Sequence, residues 1–199
     1  MRGLTLKTIN IGILAHVDAG KTTLTEQLLF CAGATRQAGD VNAGTAHTDY
    51  LQVERERGIS VRSSAASFSC GEVQVNVIDT PGHADFAAEV ERSLAVLDAA
   101  ILVVSAVEGI QARTELLLEA LAATETAVLI VVNKVDRAGS DAQAVVRELR
   151  EKWGLRPAVL SHIEREGERD VSVRAMTPKD GAECDALAEL CCDLDDALL

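Results

Sequence analysis

The chain has 199 residues, of which 48% are apolar and only 3% aromatic, and its formal net charge is −12. This length predicts one domain with a full hydrophobic core and room for a small appendage. The negative charge argues against a free-standing nucleic-acid-binding protein, because no basic stripe is present to neutralise phosphates. An anionic ligand must therefore be held locally, by backbone N–H groups, a lysine and a metal ion.

We expect neither a secretion signal nor a membrane span. Residues 1–7 are too short and too polar for a signal peptide, and no apolar run reaches the length that a membrane span needs. The five cysteines follow no disulfide or zinc-binding spacing, which favours reduced thiols in a cytosolic protein. Of these, Cys184, Cys191 and Cys192 are expected to be small core residues rather than metal ligands.

The first predicted strand, residues 8–14, leads through a tight loop into a helix. This arrangement turns successive backbone N–H groups inward as an anion cradle, to which the helix dipole adds positive charge. Gly20 lets the backbone approach a phosphate, Lys21 reaches the β- and γ-phosphates, and the Thr22 hydroxyl can ligate Mg²⁺. Because Ala15 stands where the phosphate-loop pattern has its first glycine, an ordinary strand-turn-helix remains the alternative.

The helix after this loop is predicted to end at Cys31 and to place Leu24 and Leu28 on one face, which Cys31 could extend. Between residues 33 and 60 the periodicity fades, while glycines recur among polar residues. A loop of this length in a compact domain is usually functional or disordered.

A β-hairpin follows, because residues 65–70 and 73–79 both alternate in polarity around a Gly-Glu turn. After the hairpin, the sequence predicts a helix beginning near Asp85, a buried strand over 99–104, a helix over 114–123 and a buried strand over 127–132. A last helix begins near residue 140 and stops at Gly154. Its apolar residues share one face: Ala142, Val145, Val146, Leu149 and Trp153. This order favours an α/β fold with a mostly parallel sheet and helices on both faces. In such folds, ligands bind at the carboxyl ends of the strands.

Two polar motifs stand directly after predicted strands. In Asp-Thr-Pro-Gly, Asp79 can hold Mg²⁺ directly or through water, and the Gly82 N–H can turn toward a γ-phosphate. In Asn-Lys-Val-Asp, the Asp136 carboxylate can accept both the N1–H and the N2 amino group of guanine, whereas adenine would leave it unpaired. Asn133 would contact N7 and O6 of the base, and the Lys134 stem would lie along its plane. Taken singly, each motif is also compatible with an ordinary turn or a capped strand end.

Segments 15–23, 57–60, 79–83 and 133–136 resemble, in this order, the first four G motifs of translational GTPases. The chain is most similar to the tetracycline-resistance ribosomal protection proteins, with elongation factor G close behind. The resemblance implies a P-loop NTPase G domain whose core is residues 1–155. It also implies that residues 156–199 begin an incomplete insertion within that domain, and that the chain is truncated before the last strand and helix.

This resemblance implies a GTP-binding and GTP-hydrolysing domain of a cytoplasmic, ribosome-associated translation factor that uses Mg²⁺. The residues implied to bind GTP or GDP are Ala15, His16, Val17, Asp18, Ala19, Gly20, Lys21, Thr22, Thr23, Asp79, Thr80, Pro81, Gly82, Asn133, Lys134, Val135 and Asp136. The implied metal-binding residues are Thr22, Ser60 and Asp79. His83 would be the catalytic residue that positions the attacking water once a ribosome orders the site, either as a base or as an orienting group. Residues 33–60 would be the first switch loop.

Two departures from the family pattern leave alternatives open. Ser60 stands where the family usually has threonine, and no Ser-Ala turn of a fifth motif follows residue 136. The alternatives are therefore an elongation factor G domain acting in translocation and a nucleotide-binding remnant without turnover. An unrelated P-loop ATPase or kinase is a third alternative, against which Asn133 and Asp136 argue.

The last part of the chain carries weaker patterns. Residues 171–175 are predicted to pair with 157–163 as a small hairpin, and residues 185–199 place leucines at helical spacing between acidic residues. A helix that packs on its own domain and a partner-binding helix both fit this pattern.

Overall fold

The computed structural model describes residues 7–35, 64–80, 94–177, 181, 184–185 and 187–189. The chain divides into two compact units. The first unit comprises Met1–Ser105 and Ile110–Asn133, and the second comprises Ala106–Gly109 and Lys134–Leu199. Within the described residues, no helix is both long enough and apolar enough to cross a membrane. The helix predicted near Asp85 lies outside the described residues.

The first unit is organised on a five-stranded sheet. Its strands are β1 (Lys7–Ala15), β2 (Ser64–Cys70), β3 (Val73–Asp79), β4 (Ala99–Ser105) and β5 (Ala127–Asn133), in the spatial order β2-β3-β1-β4-β5. β1 pairs in parallel with both β3 and β4, β4 pairs in parallel with β5, and β2 runs antiparallel to β3. The predicted hairpin and the mostly parallel sheet are therefore confirmed.

The core lies around the carboxyl half of β1, the central strand. Ile13 and Val103 are fully buried and pack in one cluster with Val75 and Val77. Ala19, from the loop after β1, belongs to the same cluster and is also fully buried. The loop is consequently anchored in the core by an apolar side chain, and burial of apolar surface is the main favourable contribution to folding.

Helix α1 (Lys21–Cys31) follows that loop, and part of its predicted face packs against the core. Leu24 and Leu28 are partly buried against the core cluster, but Cys31 is exposed. The most buried positions are Lys21, Thr25, Glu26 and Leu29. A polar row can be buried here because its groups find partners, as when the Thr25 hydroxyl donates to the Lys21 carbonyl at 3.0 Å.

Strand β5 is less buried than predicted. Its first three residues are exposed, with Val128 at 39% and Leu129 at 45% exposure. The reason is its place in the sheet: β5 is the last strand in the spatial order, and among the described residues it pairs only with β4. Helix α2 (Ala112–Ala123) connects β4 to β5, and it confirms the predicted helix with a start two residues earlier.

The second unit contains helix α3 (Ala142–Glu151) and a hairpin of β6 (Ser161–Glu164) and β7 (Ser172–Ala175). The Asp141 side chain caps α3 by accepting the Ala144 N–H at 2.7 Å. The buried residues of α3 are Ala142, Val145 and Leu149, on the predicted face, although the helix ends before Trp153. The predicted small hairpin is confirmed, since β6 pairs antiparallel with β7.

Gly12, in β1, leaves room for the side chain of Leu97. An ideal Cβ at Gly12 would lie 2.2 Å from Cδ1 of Leu97. Gly12→Val should therefore lower the free energy of unfolding by about 1–3 kcal/mol, because the core is overfilled. Urea unfolding measures this loss. The double variant with Leu97→Ala should lose less free energy of unfolding than the sum of the losses in the two single variants. Strictly additive losses would show that the two positions do not compete for space.

Candidate nucleotide-binding site

The loop between β1 and α1 forms a compact turn that ends at a helix N-terminus. The Ala19 N–H donates to the His16 carbonyl at 3.3 Å, and the Leu24 N–H donates to the Gly20 carbonyl at 3.0 Å as the first helical bond. Gly20 has a φ of 94°, a left-handed conformation that glycine adopts without strain. The N–H groups of a first helical turn have no acceptor within the helix and can therefore bind an anion.

The end of β5 contacts this loop directly. Asn133, the last residue of β5, donates from Nδ2 to the Ala19 carbonyl at 2.8 Å. An ideal Cβ at Gly20 would lie 2.3 Å from the same nitrogen. A side chain at position 20 would therefore displace Asn133, so both the space and the backbone conformation require glycine. The first residue of the fourth motif thus lies against the first motif.

A buried ion pair joins the loop to the end of β3. Lys21 Nζ donates to Asp79 Oδ1, and the two side chains are only 7% and 2% exposed. Thr80, next in the chain, donates from its hydroxyl to the Ile13 carbonyl at 2.9 Å. Because a buried charge is costly unless it is paired, the Asp79 carboxylate supplies the counter-charge for the Lys21 ammonium.

A second buried contact holds the start of the loop. His16 Nδ1 lies 3.1 Å from the Thr114 hydroxyl, with His16 5% exposed and Thr114 fully buried in the first turn of α2. Sequence reasoning treated Thr114 only as part of a helix. The sequence offered one signal, a polar residue at the start of the predicted helix, but helical spacing alone does not indicate that this residue contacts the loop.

The other residues of the fourth motif belong to the second unit. Lys134 has a φ of 61°, and its Nζ donates to Glu108 Oε2 at 3.3 Å. The Asp136 carboxylate is half exposed and lies 3.6 Å from Arg137 Nε. The Val135 carbonyl accepts hydrogen bonds from the Gly167 N–H at 2.8 Å and the Ser140 hydroxyl at 3.2 Å.

The remaining predicted site residues fall into two groups. Ala15 is buried in the core cluster, Thr22 is partly buried, and the exposed loop or helix positions are Val17, Asp18 and Thr23. Ser60, Pro81, Gly82 and His83 lie outside the described residues, so their predicted roles stay predictions.

The donor set fits an anionic nucleotide with Mg²⁺. The buried Lys21 ammonium and the backbone N–H groups of the first turn of α1 suit phosphate oxygens. The Thr22 hydroxyl and the Asp79 carboxylate are oxygen ligands, the kind that Mg²⁺ prefers.

The His16–Thr114 contact predicts a stability difference between two similar variants. Thr114→Val keeps the shape of the side chain but removes the hydroxyl, and it should lower the free energy of unfolding by about 1–3 kcal/mol because His16 loses a buried hydrogen-bond partner. Thr114→Ser keeps the hydroxyl and should be closer to the parent chain. If urea unfolding gave equal losses for the two variants, the hydrogen bond would not be what stabilises this contact.

Comparison with known proteins identifies the family. The chain matches the elongation factor Tu GTP binding domain model over residues 6–195. The tetracycline resistance protein TetM of Streptomyces lividans is 48% identical over 185 residues, which are 93% of this chain and 29% of TetM. The tetracycline resistance protein TetW of Butyrivibrio fibrisolvens is 54% identical over 147 residues, 74% of this chain and 23% of TetW.

A solved structure shares the fold. The crystal structure of a Thermus thermophilus protein matches with a TM-score of 0.82 at 27% identity, over 98% of this chain and 32% of that one. The chain spans less than a third of the length of the relatives named above. Its extensive match to one family model, together with these similarities, establishes that the chain belongs to the family of elongation factor Tu GTP-binding domains.

Proposed function

We propose that the chain binds GTP with Mg²⁺ and hydrolyses it, as the G domain of a ribosome-associated factor of the tetracycline-resistance type. The observation that carries this proposal is the contact between Asn133 and the Ala19–Gly20 backbone. It links the first residue of the base-recognition motif to the phosphate loop, as a single nucleotide would require. Residues 1–155 would form the core of this domain, and residues 156–199 would begin an insertion in it.

Phosphate binding is assigned to the loop and the first turn of α1. Lys21 would exchange part of its interaction with Asp79 for the β- and γ-phosphates. The exchange is feasible because phosphate oxygens accept the same kind of charge-assisted hydrogen bond from the ammonium as the carboxylate does. Mg²⁺ supplies further positive charge that neutralises the phosphate oxygens. Thr22, Ser60 and Asp79 are the proposed metal-binding residues, with Asp79 acting directly or through water. Thr80, Pro81 and Gly82 would complete the contacts beside the γ-phosphate.

Base selection is assigned to the fourth motif. Asp136 would accept the two guanine donors, Asn133 would contact N7 and O6, and the Lys134 stem would lie along the base. The ion pair of Asp136 with Arg137 is exposed and therefore weak, so it does not prevent the carboxylate from accepting guanine. An adenine nucleotide has neither donor at these positions and would leave this carboxylate unpaired.

Hydrolysis is assigned to His83, which would position the attacking water when the ribosome orders the site. The ribosome as partner and a cytoplasmic location are part of this proposal, which is supported by the resemblance of the four motifs to those of translational GTPases and by relatives that are named tetracycline resistance proteins. The same site would serve an elongation factor G domain acting in translocation. The second candidate function is nucleotide binding without turnover.

Asp136→Asn tests the assignment of the base-recognition carboxylate. An amide cannot accept both guanine donors, so GDP affinity should fall by about tenfold or more, while affinity for xanthosine diphosphate should rise. Isothermal titration with the two nucleotides measures both changes. Asp141→Asn is a matched control on the same loop, and it should leave GDP affinity close to that of the parent. Unchanged GDP binding by Asp136→Asn would contradict the assignment.

His83→Ala tests the catalytic assignment separately from binding. Ribosome-stimulated GTP turnover by the full chain should fall by about 10²-fold or more, because positioning of the water is lost, whereas GTP affinity should remain. Turnover is measured by phosphate release with and without ribosomes. Full activity in the variant would exclude His83 as the catalytic residue, and no turnover by the parent chain would favour the nucleotide-binding candidate.

A further inference from the structure

The turn between β6 and β7, residues 165–170, is held together by contacts within itself. Arg165 and Asp170 form an ion pair across it, and the Glu168 N–H donates to the Arg165 carbonyl at 3.2 Å. Gly167 has a φ of 84°, so the backbone at its tip has the left-handed conformation that favours glycine. We call residues 165–170 the bracing turn.

Gly167 of the bracing turn forms a backbone hydrogen bond with the proposed base-recognition motif, residues 133–136. The Gly167 N–H donates to the Val135 carbonyl at 2.8 Å, and Val135 lies between Lys134 and Asp136 in the chain. The same carbonyl accepts the Ser140 hydroxyl at 3.2 Å, so both acceptor positions of the peptide oxygen are used. The backbone that precedes Asp136 is thereby fixed from two sides.

Glu166, the preceding residue of the bracing turn, contacts the other end of the segment that follows Val135. Glu166 Oε1 accepts the Ala142 N–H at 2.7 Å in a partly buried position at the first turn of α3. A carboxylate is favourable there because the first N–H groups of a helix lack internal acceptors and carry partial positive charge. Adjacent residues of the turn therefore contact both ends of the segment 135–142.

The position of Asp136 depends on this segment. Its own side chain is half exposed, and its ion pair with Arg137, at 3.6 Å, is a weak constraint. Recognition of two donors by one carboxylate demands placement within about 0.5 Å, which neighbouring residues must provide. Among the described contacts, the Asp141 N–H also ties this segment to another part of the second unit, by donating to the Ala106 carbonyl at 2.9 Å, but the contacts from Glu166 and Gly167 are the ones that reach both of its ends.

We propose that Glu166 and Gly167 are positioning residues for guanine recognition: the bracing turn fixes the segment that carries Asp136 and thereby sets the preference for guanine over bases that lack the N2 amino group. This inference rests on the proposed role of Asp136. It gives residues 165–170 a function within the nucleotide site that their sequence does not reveal.

The test compares affinities for GDP and inosine diphosphate, which differ only in the N2 amino group, by isothermal titration of the full chain. Glu166→Met removes the acceptor for the Ala142 N–H at similar side-chain length. Glu166→Gln keeps a side-chain oxygen that can accept the same hydrogen bond. Glu168→Met makes the corresponding change at an exposed position of the same turn and serves as the matched control.

The parent chain should bind GDP about tenfold more tightly than inosine diphosphate, since one charged hydrogen bond is lost. Glu166→Met should reduce this ratio by about threefold or more, toward one. Glu166→Gln and Glu168→Met should retain the parent ratio. A merely structural effect would lower both affinities in parallel and leave the ratio unchanged, and that result would overturn the proposal.

Failure of the underlying function is distinguishable from failure of this proposal. A ratio near one in the parent chain would overturn the role of Asp136 and the proposal with it, whereas a parent preference that survives Glu166→Met would overturn the positioning role alone. Circular dichroism checks that each variant folds. If Glu166→Met does not fold, Glu166→Asp replaces it: a carboxylate one methylene shorter should also reduce the ratio, and an unchanged ratio would contradict the proposal.

Discussion

The hydrogen bond from the Asn133 amide to the Ala19 carbonyl is the constraint on which the site depends. It exists because β1, β4 and β5 are parallel neighbours, so their carboxyl ends lie at one edge of the sheet. The contact also explains the glycine at position 20, where a Cβ would lie 2.3 Å from the amide nitrogen. The residue proposed to contact the base and the loop proposed to bind the phosphates are thus joined by a short side chain that bonds to a backbone carbonyl.

Buried polar contacts then set the electrostatics around the loop. Lys21 and Asp79 neutralise each other in the core-facing part of the site, and His16 contacts Thr114 in α2. Buried groups of this kind are stable only when their partners are in place, which favours one conformation of the loop over many. The apolar side chain of Ala19 strengthens the same effect, because it anchors the loop in the core cluster. These contacts together hold the loop between β1 and α1 in place.

Much of this architecture was predictable, because strand periodicity and the order of the motifs are local properties of the chain. The hairpin, the parallel strands and the face of α3 follow from them. The burial of β5 was overestimated because its composition does not reveal that it is the last strand of the described sheet. The buried face of α1 was only partly predicted, because its buried polar residues break the apolar pattern. Thr114, Glu166 and Gly167 were missed for a different reason: their contacts join residues far apart in sequence, which periodicity cannot detect. The role of His83 stays a prediction.

The central claim is that a guanine nucleotide is the ligand of this site, and the most direct measurement is titration of the full chain with GDP and with ADP in the presence of Mg²⁺. The phosphates of the two nucleotides are identical, so any difference in affinity reports on the base. The proposed pairing of Asp136 with guanine predicts binding of GDP at least about 10²-fold tighter than binding of ADP, because adenine would leave that carboxylate without its donors. Equal affinity for the two nucleotides would contradict the claim.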